Sequence, residues 1–261
     1  MPSMSACIIS YNEEKKIKAC LESLVPVVDE IIVVDSNSHD KTIEIAKQYT
    51  DKVFNHDFLG HVEQKNLAVS KASYDWILAL DCDERLSPAL QDAILNIKEK
   101  LDDFDAYRVA RKTFYVYRWL NHVWYPDKKV RLFNKNTARW GGVNPHDKVI
   151  VDGDAIHDLK GDLLHLSFDS ISDHIQTMDI FTEIGAHEII KKGKNVTIIT
   201  PFVHASWTFL QLYIFKLGFL DGVAGLVASF LSYVHVFVKY SKVLLIRRQK
   251  RMDQHSRENE L

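Results

Sequence analysis

The sequence predicts an α/β fold, a mostly parallel sheet with helices on both faces, followed by C-terminal hydrophobic helices. Strand and helix signals alternate over the first hundred residues, the pattern of a parallel sheet covered by crossover helices. The apolar run Trp76-Ile77-Leu78-Ala79-Leu80 stops abruptly at Asp81-Cys82-Asp83-Glu84, as a buried strand does when it reaches the sheet edge. Composition then shifts after Trp207, and residues 222–238 contain no Asp, Glu, Lys or Arg.

Taken in order, residues 5–10 read as strand and 12–24 as helix. Residues 30–35 form a strand dominated by Ile31-Ile32-Val33-Val34, and 40–49 a helix with Ile43, Ile45 and Ala46 on its apolar side. A short strand at 52–55, a helix at 62–72 and the strand at 76–80 follow. Ser87-Pro88 opens a helix reaching about residue 100, with Ser as cap and Pro in the first turn. Residues 106–117 alternate apolar or aromatic with basic side chains, and 129–134 are another strand. Residues 139–147 look like a loop rich in turn formers, 162–167 a strand, and 170–192 a long helix. No internal repeat or low-complexity tract interrupts the chain. The expected division is a catalytic α/β domain over 1–205 and a helical membrane-association or oligomerisation segment over 206–261.

With 261 residues, 46% hydrophobic and 26% charged, the chain has the makings of a real core. A net charge of -2 points to no nucleic-acid partner. Cys7, Cys20 and Cys82 are odd in number and lack metal-site spacing, which suits reduced thiols in the cytoplasm. No basic segment followed by an apolar one precedes Ala6-Cys7-Ile8-Ile9, so no secretory signal is expected. The apolar C-terminal stretch is slightly short for a membrane span and is edged or interrupted by Asp221 and His235. Arg247-Arg248-Gln249-Lys250-Arg251 after it suits an anionic cytoplasmic leaflet. Peripheral contact with the inner face of the cytoplasmic membrane is favoured over a buried helical hairpin, and a homo-oligomer contact stays open.

Asp81 and Asp83 carry the chemistry. Inside a sheet such charges cost several kcal/mol each unless something positive meets them. Placed at the C-terminal edge of an open parallel sheet, they stand where such sheets bind ligands. Asp35 ends the neighbouring strand in the same way, so two acid-tipped strands suggest one cleft holding a divalent cation that carries phosphate. Alternatives with their own signatures are disfavoured. An aspartyl-phosphate hydrolase would need Thr or Val where Arg85 stands, and neither G-x-G-x-x-G after the first strand nor G-x-x-x-x-G-K-[ST] occurs.

Four segments together resemble the family 2 glycosyltransferases of the GT-A fold. They are Ser10-Tyr11-Asn12-Glu13-Glu14, Val33-Val34-Asp35-Ser36-Asn37-Ser38-His39-Asp40-Lys41-Thr42, Gln64-Lys65-Asn66-Leu67-Ala68 and Asp81-Cys82-Asp83-Glu84. Order and spacing match over about residues 4–170. Arg131-Leu132-Phe133 and the later His146-Asp147 more narrowly resemble the bacterial subgroup that adds β-linked glucose to the lipopolysaccharide inner core. The resemblance implies a UDP-sugar donor, with Tyr11 and Glu14 at the nucleoside and Asp35 accepting from uracil or ribose. Lys65 would sit by the phosphates, Asp81 by ribose or metal-bound water, and Arg131 on the diphosphate. Asp83 would bind Mg²⁺ or Mn²⁺, with His165 completing the shell and Cys82 a bystander.

An acceptor hydroxyl needs a general base, for which Asp147 is chosen. The subgroup usually has Glu at this position, and Val-His where Asn144-Pro145-His146 stands. One base opposite the leaving group implies inversion at the anomeric carbon. Blander readings stay open: Lys65 on a solvated face, Asp147 capping a turn with His146 packed, His165 as a core histidine, Arg131 as a strand-edge residue. Tyr115, Tyr117, Trp119, Trp124 and Tyr125, with Arg111, Lys112 and Arg118, read as an acceptor surface or as packing. The expected function is an inverting, metal-dependent glycosyltransferase moving a hexose, glucose by preference, to a lipid-linked saccharide. The alternatives are a nucleotidyltransferase, whose G-x-G-T-R loop is absent, and a catalytically silent nucleotide-sugar-binding protein.

Overall fold

Alternation along three central strands explains why helices cover both sides of the sheet. In β1 (Met4–Ser10), Met4, Ala6 and Ile8 enter one core while Cys7 enters another. After α1 (Ile17–Leu24), β2 (Glu30–Asp35) sends Ile31 and Val33 to the first core and Ile32 and Val34 to the second. Past α2 (Thr42–Ala46), β3 (Val53–Asn55) and α3 (His61–Ser70), β4 (Trp76–Asp81) repeats the pattern. Its Trp76, Leu78 and Leu80 face one side, Ile77 and Ala79 the other. A strand buried on both faces has no polar positions to spare, which is why these runs read as continuous apolar segments. α1 closes the first core with Ile17, Cys20, Leu21 and Leu24, the i, i+3, i+4, i+7 stripe of an amphipathic helix.

The computed structural model describes residues 2–144 and 146–258, with the backbone alone at His146 and at 255–258. Beyond β4 come β5 (Glu84–Leu86), α4 (Pro88–Ile97), β6 (Ala106–Tyr115), β7 (Arg118–Trp119), β8 (Asp127–Asn134), β9 (Ala138–Val143), β10 (His146–Val151) and β11 (Ile156–Phe168). The α-helices that follow are α5 (Ile171–Lys191), α6 (Thr200–Leu210) and α7 (Gly222–Glu258). Two compact units emerge, Met1–Thr113 with Pro126–Ser167, and Phe114–Tyr125 with Phe168–Leu261. Residue 205, where the sequence suggested a division, lies inside α6.

In the first unit the sheet order is β3-β2-β1-β4-β8-β6-β11-β5. β3, β2, β1 and β4 are parallel neighbours, whereas β4–β8, β6–β8 and β5–β11 pair antiparallel. The sheet is therefore mixed: the parallel arrangement expected of most of it holds where helices connect the strands, and gives way after α4, where β6 and β8 are joined without a crossover helix. Register sets Ser10 opposite Asp35 and Ile9 opposite Asp81, so three strand ends meet at one edge. Ser87 caps α4 as its sequence promised, accepting the Leu90 N–H at 3.3 Å, with Pro88 in the first turn.

Two expectations need correction here. Apart from Pro145, which lies outside the described residues, the segment 139–147 is not a loop but most of the β9–β10 hairpin, paired from Val143–His146 down to Ala138–Val151. Gly141, Gly142 and Asn144 look like turn formers, yet Ala138 and Trp140 bury themselves at strand spacing. The helix expected from residue 12 begins at Ile17, because the backbone of residues 12–14 is bonded to the 38–42 loop instead.

In the second unit, α7 packs along α5 and α6, and β7 pairs with the end of β6. The Asp221 carboxylate is fully buried and accepts the N–H groups of Asn121, His122 and Val123 at 2.9–3.0 Å, which holds its charge below the usual carboxylate range despite burial. Tyr115, Trp124, Phe168 and His174 form one aromatic cluster, while Tyr117 is exposed. The aromatic run thus divides between packing and surface.

Candidate active site

The site is assembled at the C-terminal edge of the parallel strands. β4 ends at Asp81, and the turn into β5 presents Asp83 and Glu84. Glu84 is buried and accepts the Asp81 N–H at 3.1 Å, so it tightens the turn carrying both aspartates. One Arg131 guanidinium nitrogen, arriving on antiparallel β8, bridges Glu84 at 2.6 Å and Asp81 at 3.1 Å. Arg111 on β6 approaches Glu84 at 3.5 Å and pairs with Asp127 at 2.7 Å. Buried charges this close are tolerable because each has an opposite partner.

Lys65 is the hub. Its ammonium lies 2.8 Å from Asp81 and 2.7 Å from Asp147, and rests 4.4 Å from the centre of the Trp140 ring. It is buried on α3, not on a solvated face. The hairpin bringing Asp147 is clasped to the same helix. Asn66 donates to the Trp140 carbonyl and accepts its N–H, at 3.0 and 3.1 Å. Asn144 accepts the Val62 N–H at 2.9 Å and donates to Glu63 at 2.8 Å, which serves the first turn of α3. Gln64 reaches Ser36 at 3.1 Å, tying α3 to the loop after β2. The Gln64-Lys65-Asn66 segment thus joins three parts of the site. The cations of Lys65 and Arg131 hold the Asp81 carboxyl far below the usual range, although burial alone would raise it. Arg131 is held still more firmly as a cation, by Glu84 and Asp81 against its own desolvation.

Asp83 lies apart from that network and faces His165 on β11, oxygen to Nε2 at 3.1 Å. Among the described residues no group of three or more His, Cys, Asp and Glu forms a complete metal cage. One carboxylate and one imidazole, with an His165 Nδ1 buried and unpartnered among the described residues, fit an ion whose other ligands are phosphate oxygens and water. Cys82 points the other way, its thiol donating to the Ile9 carbonyl at 3.1 Å, and burial pushes the Cys82 and Cys20 thiols well up. Both are inert thiols.

The nucleoside side is less open than the sequence suggests. Asp35 is fully buried and accepts from Ser10 Oγ at 2.6 Å and from the Ser38 N–H and Oγ at 2.6 and 2.7 Å. Its carboxylate organises the loop in this arrangement. The Glu14 carboxylate accepts the Lys41 N–H at 3.1 Å, and Asn12, at φ +53°, accepts the His39 N–H at 2.9 Å. Tyr11 projects into solvent beside them. Sequence reasoning missed Glu84 as the brace of the turn and Trp140 as the ring under Lys65. The first sat inside the quoted acidic segment, and the second was hidden by the loop reading. The His146 side chain lies outside the described residues.

The chain matches the model of glycosyl transferase family 2 over residues 5–151. It is 31% identical over 254 residues to an uncharacterized glycosyltransferase of Rickettsia typhi, spanning 93% of this chain and 87% of that one. It is 26% identical over 256 residues to the lipopolysaccharide core biosynthesis glycosyltransferase LpsC of Rhizobium meliloti, spanning 91% and 93%. Among solved structures, S. aureus TarS 1-349 aligns with a TM-score of 0.47 at 16% identity over 95% of this chain and 92% of that one. With the family model covering more than half of the chain and relatives above 30% identity along nearly all of it, the protein belongs to glycosyl transferase family 2 and is a glycosyltransferase of mixed α/β architecture.

Proposed function

We propose that the enzyme is an inverting, metal-dependent hexosyltransferase that moves glucose from a UDP-sugar to a lipid-linked saccharide of the lipopolysaccharide-core kind, at the cytoplasmic face of the membrane. The observation that carries this is the Lys65 ammonium shared between Asp81 and Asp147. It ties Asp81, at the end of β4, to a carboxylate on a separate hairpin. A diphosphate entering beside Asp81 offers Lys65 a stronger anion, and the partnership with Asp147 loosens. Asp147 then takes the proton of the acceptor hydroxyl as its oxygen attacks the anomeric carbon. The bond to the β-phosphate oxygen breaks, its electron pair leaves with UDP, and the configuration inverts. Asp83 and His165 are the residues that would hold Mg²⁺ or Mn²⁺, which when bound neutralises the diphosphate and favours its departure. Tyr11 offers an exposed ring to the nucleoside at the loop that Asp35 and Glu14 organise.

The acceptor class is supported by the similarity to LpsC, and the donor by the resemblance to the inner-core glucosyltransferase subgroup. The test supplies a panel of UDP-hexoses with a truncated lipopolysaccharide core and follows UDP and the anomeric signal of the product. UDP-glucose consumption giving a β-linked product is expected. Pyrophosphate in place of UDP, or UDP binding with no turnover toward any acceptor, sinks the proposal.

A further inference from the structure

The α6–α7 region carries its apolar side chains outward. Between Lys194 and Lys239 the chain holds only Lys216 and Asp221 among its Asp, Glu, Lys and Arg residues, and Asp221 is buried. On α6 and the residue before it, Ile199, Val203, Trp207 and Leu210 are exposed at i, i+4, i+8 and i+11, one helical face. On α7, Val223 (68% exposed), Leu226, Phe230, Leu245 (67%) and Met252 share a stripe within about 100° of arc, taking 3.6 residues per turn. Phe215, Leu217, Phe219 and Leu220 extend the exposed apolar surface through the connection. The two helices pack side by side, Phe202 against Phe237 at 5.0 Å and His204 on Tyr240 at 4.9 Å.

We infer that this pair is a monotopic membrane-docking platform, lying in the plane of a bilayer with anionic headgroups and not crossing it. Length and composition alone would allow the helical stretch Gly218–Gln254 to cross, with a mean hydropathy of 1.5 over its best window. Packing argues otherwise. The opposite face of α7 is occupied by the protein: Ala224 and Ala228 are buried against Tyr115, Leu120 and Val123. Gly225 sits so close to Gly218 that a side chain would strike its carbonyl. A helix covered by protein along one face cannot be surrounded by lipid. The charge-free stretch from 222 to 238 also spans only ~26 Å, against ~30 Å for a bilayer's hydrocarbon core, whereas the exposed apolar positions are spread over ~43 Å, Val223–Phe230 at one end and Leu245–Met252 at the other, with the half-buried or buried residues 231–244 between them. Apolar positions spread further apart than the membrane is thick fit along its surface.

Charge selects the lipid. From residue 195 to 252 the chain has Lys216, Lys239, Lys242, Arg247, Arg248, Lys250 and Arg251 against a single acid, the buried Asp221. Arg248 falls on the α7 stripe and Lys216 is exposed in the connection. A second copy of this chain would bring the same positive charge to the contact, which disfavours self-association through this face. Interfacial helices of this composition bind through apolar burial plus attraction to anionic lipid.

The experiment floats the full-length protein with vesicles of phosphatidylethanolamine and phosphatidylglycerol, and with phosphatidylcholine alone. Strong binding to the anionic vesicles, weakened by salt and released by alkaline carbonate, is expected. Trp207→Glu with Phe230→Glu lowers the bound fraction at least about tenfold, and Arg248→Glu lowers it less and mainly at low salt. Circular dichroism confirms the fold of each variant, and the milder Trp207→Ser serves if the double variant unfolds. Unchanged binding in folded variants, resistance to carbonate, or a dimer that the variants split while vesicle binding persists would each overturn the inference. UDP-glucose hydrolysis in the absence of lipid is followed in parallel and stays at the parent level in the variants. If no form turns over donor, the sugar-transfer proposal fails while the docking result stands.

Discussion

The first unit keeps charge inside, and the second keeps apolar side chains outside. Lys65, Arg131, Asp81 and Glu84 are drawn into a strand-end cluster where each is matched, while Trp207, Phe215, Val223 and Phe230 are each more than half exposed to solvent. Both departures are costly. A buried ion loses several kcal/mol of hydration, and a large apolar side chain left exposed forgoes about 1.5–3 kcal/mol of burial. In the first unit the cost is offset internally, by carboxylates and cations in contact. In the second, packing among the described residues offsets it only in part. The two regions therefore differ in how the cost is met: one by ionic contacts already in place, the other only in part.

The largest expected effect tests whether the ionic cluster is catalytic or only structural. Asp147→Asn keeps the size of the side chain and its place on the hairpin but removes the base. Sugar transfer should fall about 10²–10⁴-fold with little change in donor KM. A loss below tenfold would return Asp147 to a role as partner of Lys65. Glu84→Ala strikes the structural half of the same cluster. It leaves the buried Arg131 with Asp81 alone and frees the turn, so urea unfolding should show about 3–5 kcal/mol of lost stability. A cost under about 1 kcal/mol would mean that water reaches Arg131 and the cluster is not a sealed network.

Legibility followed the same division. The strands of the parallel half were readable because burial on both faces leaves uninterrupted apolar runs, and the acids ending them marked the site edge. Ser87-Pro88 marked a helix start that the structure bears out, and the helix read over 170–192 is found over Ile171–Lys191. The β9–β10 hairpin was not readable, since its glycines and Asn144 imitate a loop and its pairing partner is its own neighbour. Lys65, Asp81 and Asp147 were each nominated singly, but that one ammonium serves both acids depends on Asn66 clasping Trp140, a contact across 74 residues. Asp35 shows the opposite limit. Its type and position suggested a ligand contact, while its hydrogen bonds to Ser10 and Ser38 turn it inward. The exposed apolar side of α7 was legible only as apolar composition, and which face is covered by protein emerged from packing.

Acid separates the two units by mechanism. His174, in the second, is buried among Tyr115, Trp124 and Phe168, and burial lowers its pKa from the usual 6.5 to about 4. The unfolded chain therefore binds this proton more readily than the folded one between those values. The contribution is fully present above about pH 6.5 and is lost as pH falls toward 4, amounting to roughly 3 kcal/mol. Asp81 in the first unit is depressed far below the carboxylate range, so its contribution is lost only in stronger acid, below the unfolded value near 4. Unfolding followed at steps from pH 7 to 4 should show the second unit weakening first. His174→Phe, which keeps the stacking on Phe168, should flatten that dependence. An unchanged slope would assign it to other groups.

The smallest effect sharpens the comparison with one residue type in two settings. Ser87 and Ser170 both cap helices, α4 and α5, through the N–H three residues on. Ser170 does that alone, accepting from Asp173 at 3.1 Å near the surface. Ser87 also accepts the Asp162 N–H at 3.0 Å, while its own N–H bonds the Asp162 carbonyl at 3.0 Å, so it joins α4 to β11. Ser170→Ala should cost about 1 kcal/mol, the usual worth of a cap. Ser87→Ala should cost about 1 kcal/mol more, because a second amide loses its acceptor. Calorimetry of the two variants would read both numbers, and the unit affected by each, if the units melt in separable steps. Equal losses would show that the Asp162 amide finds water when the hydroxyl is gone, and that the helix–strand junction in the first unit is as open as the surface cap in the second.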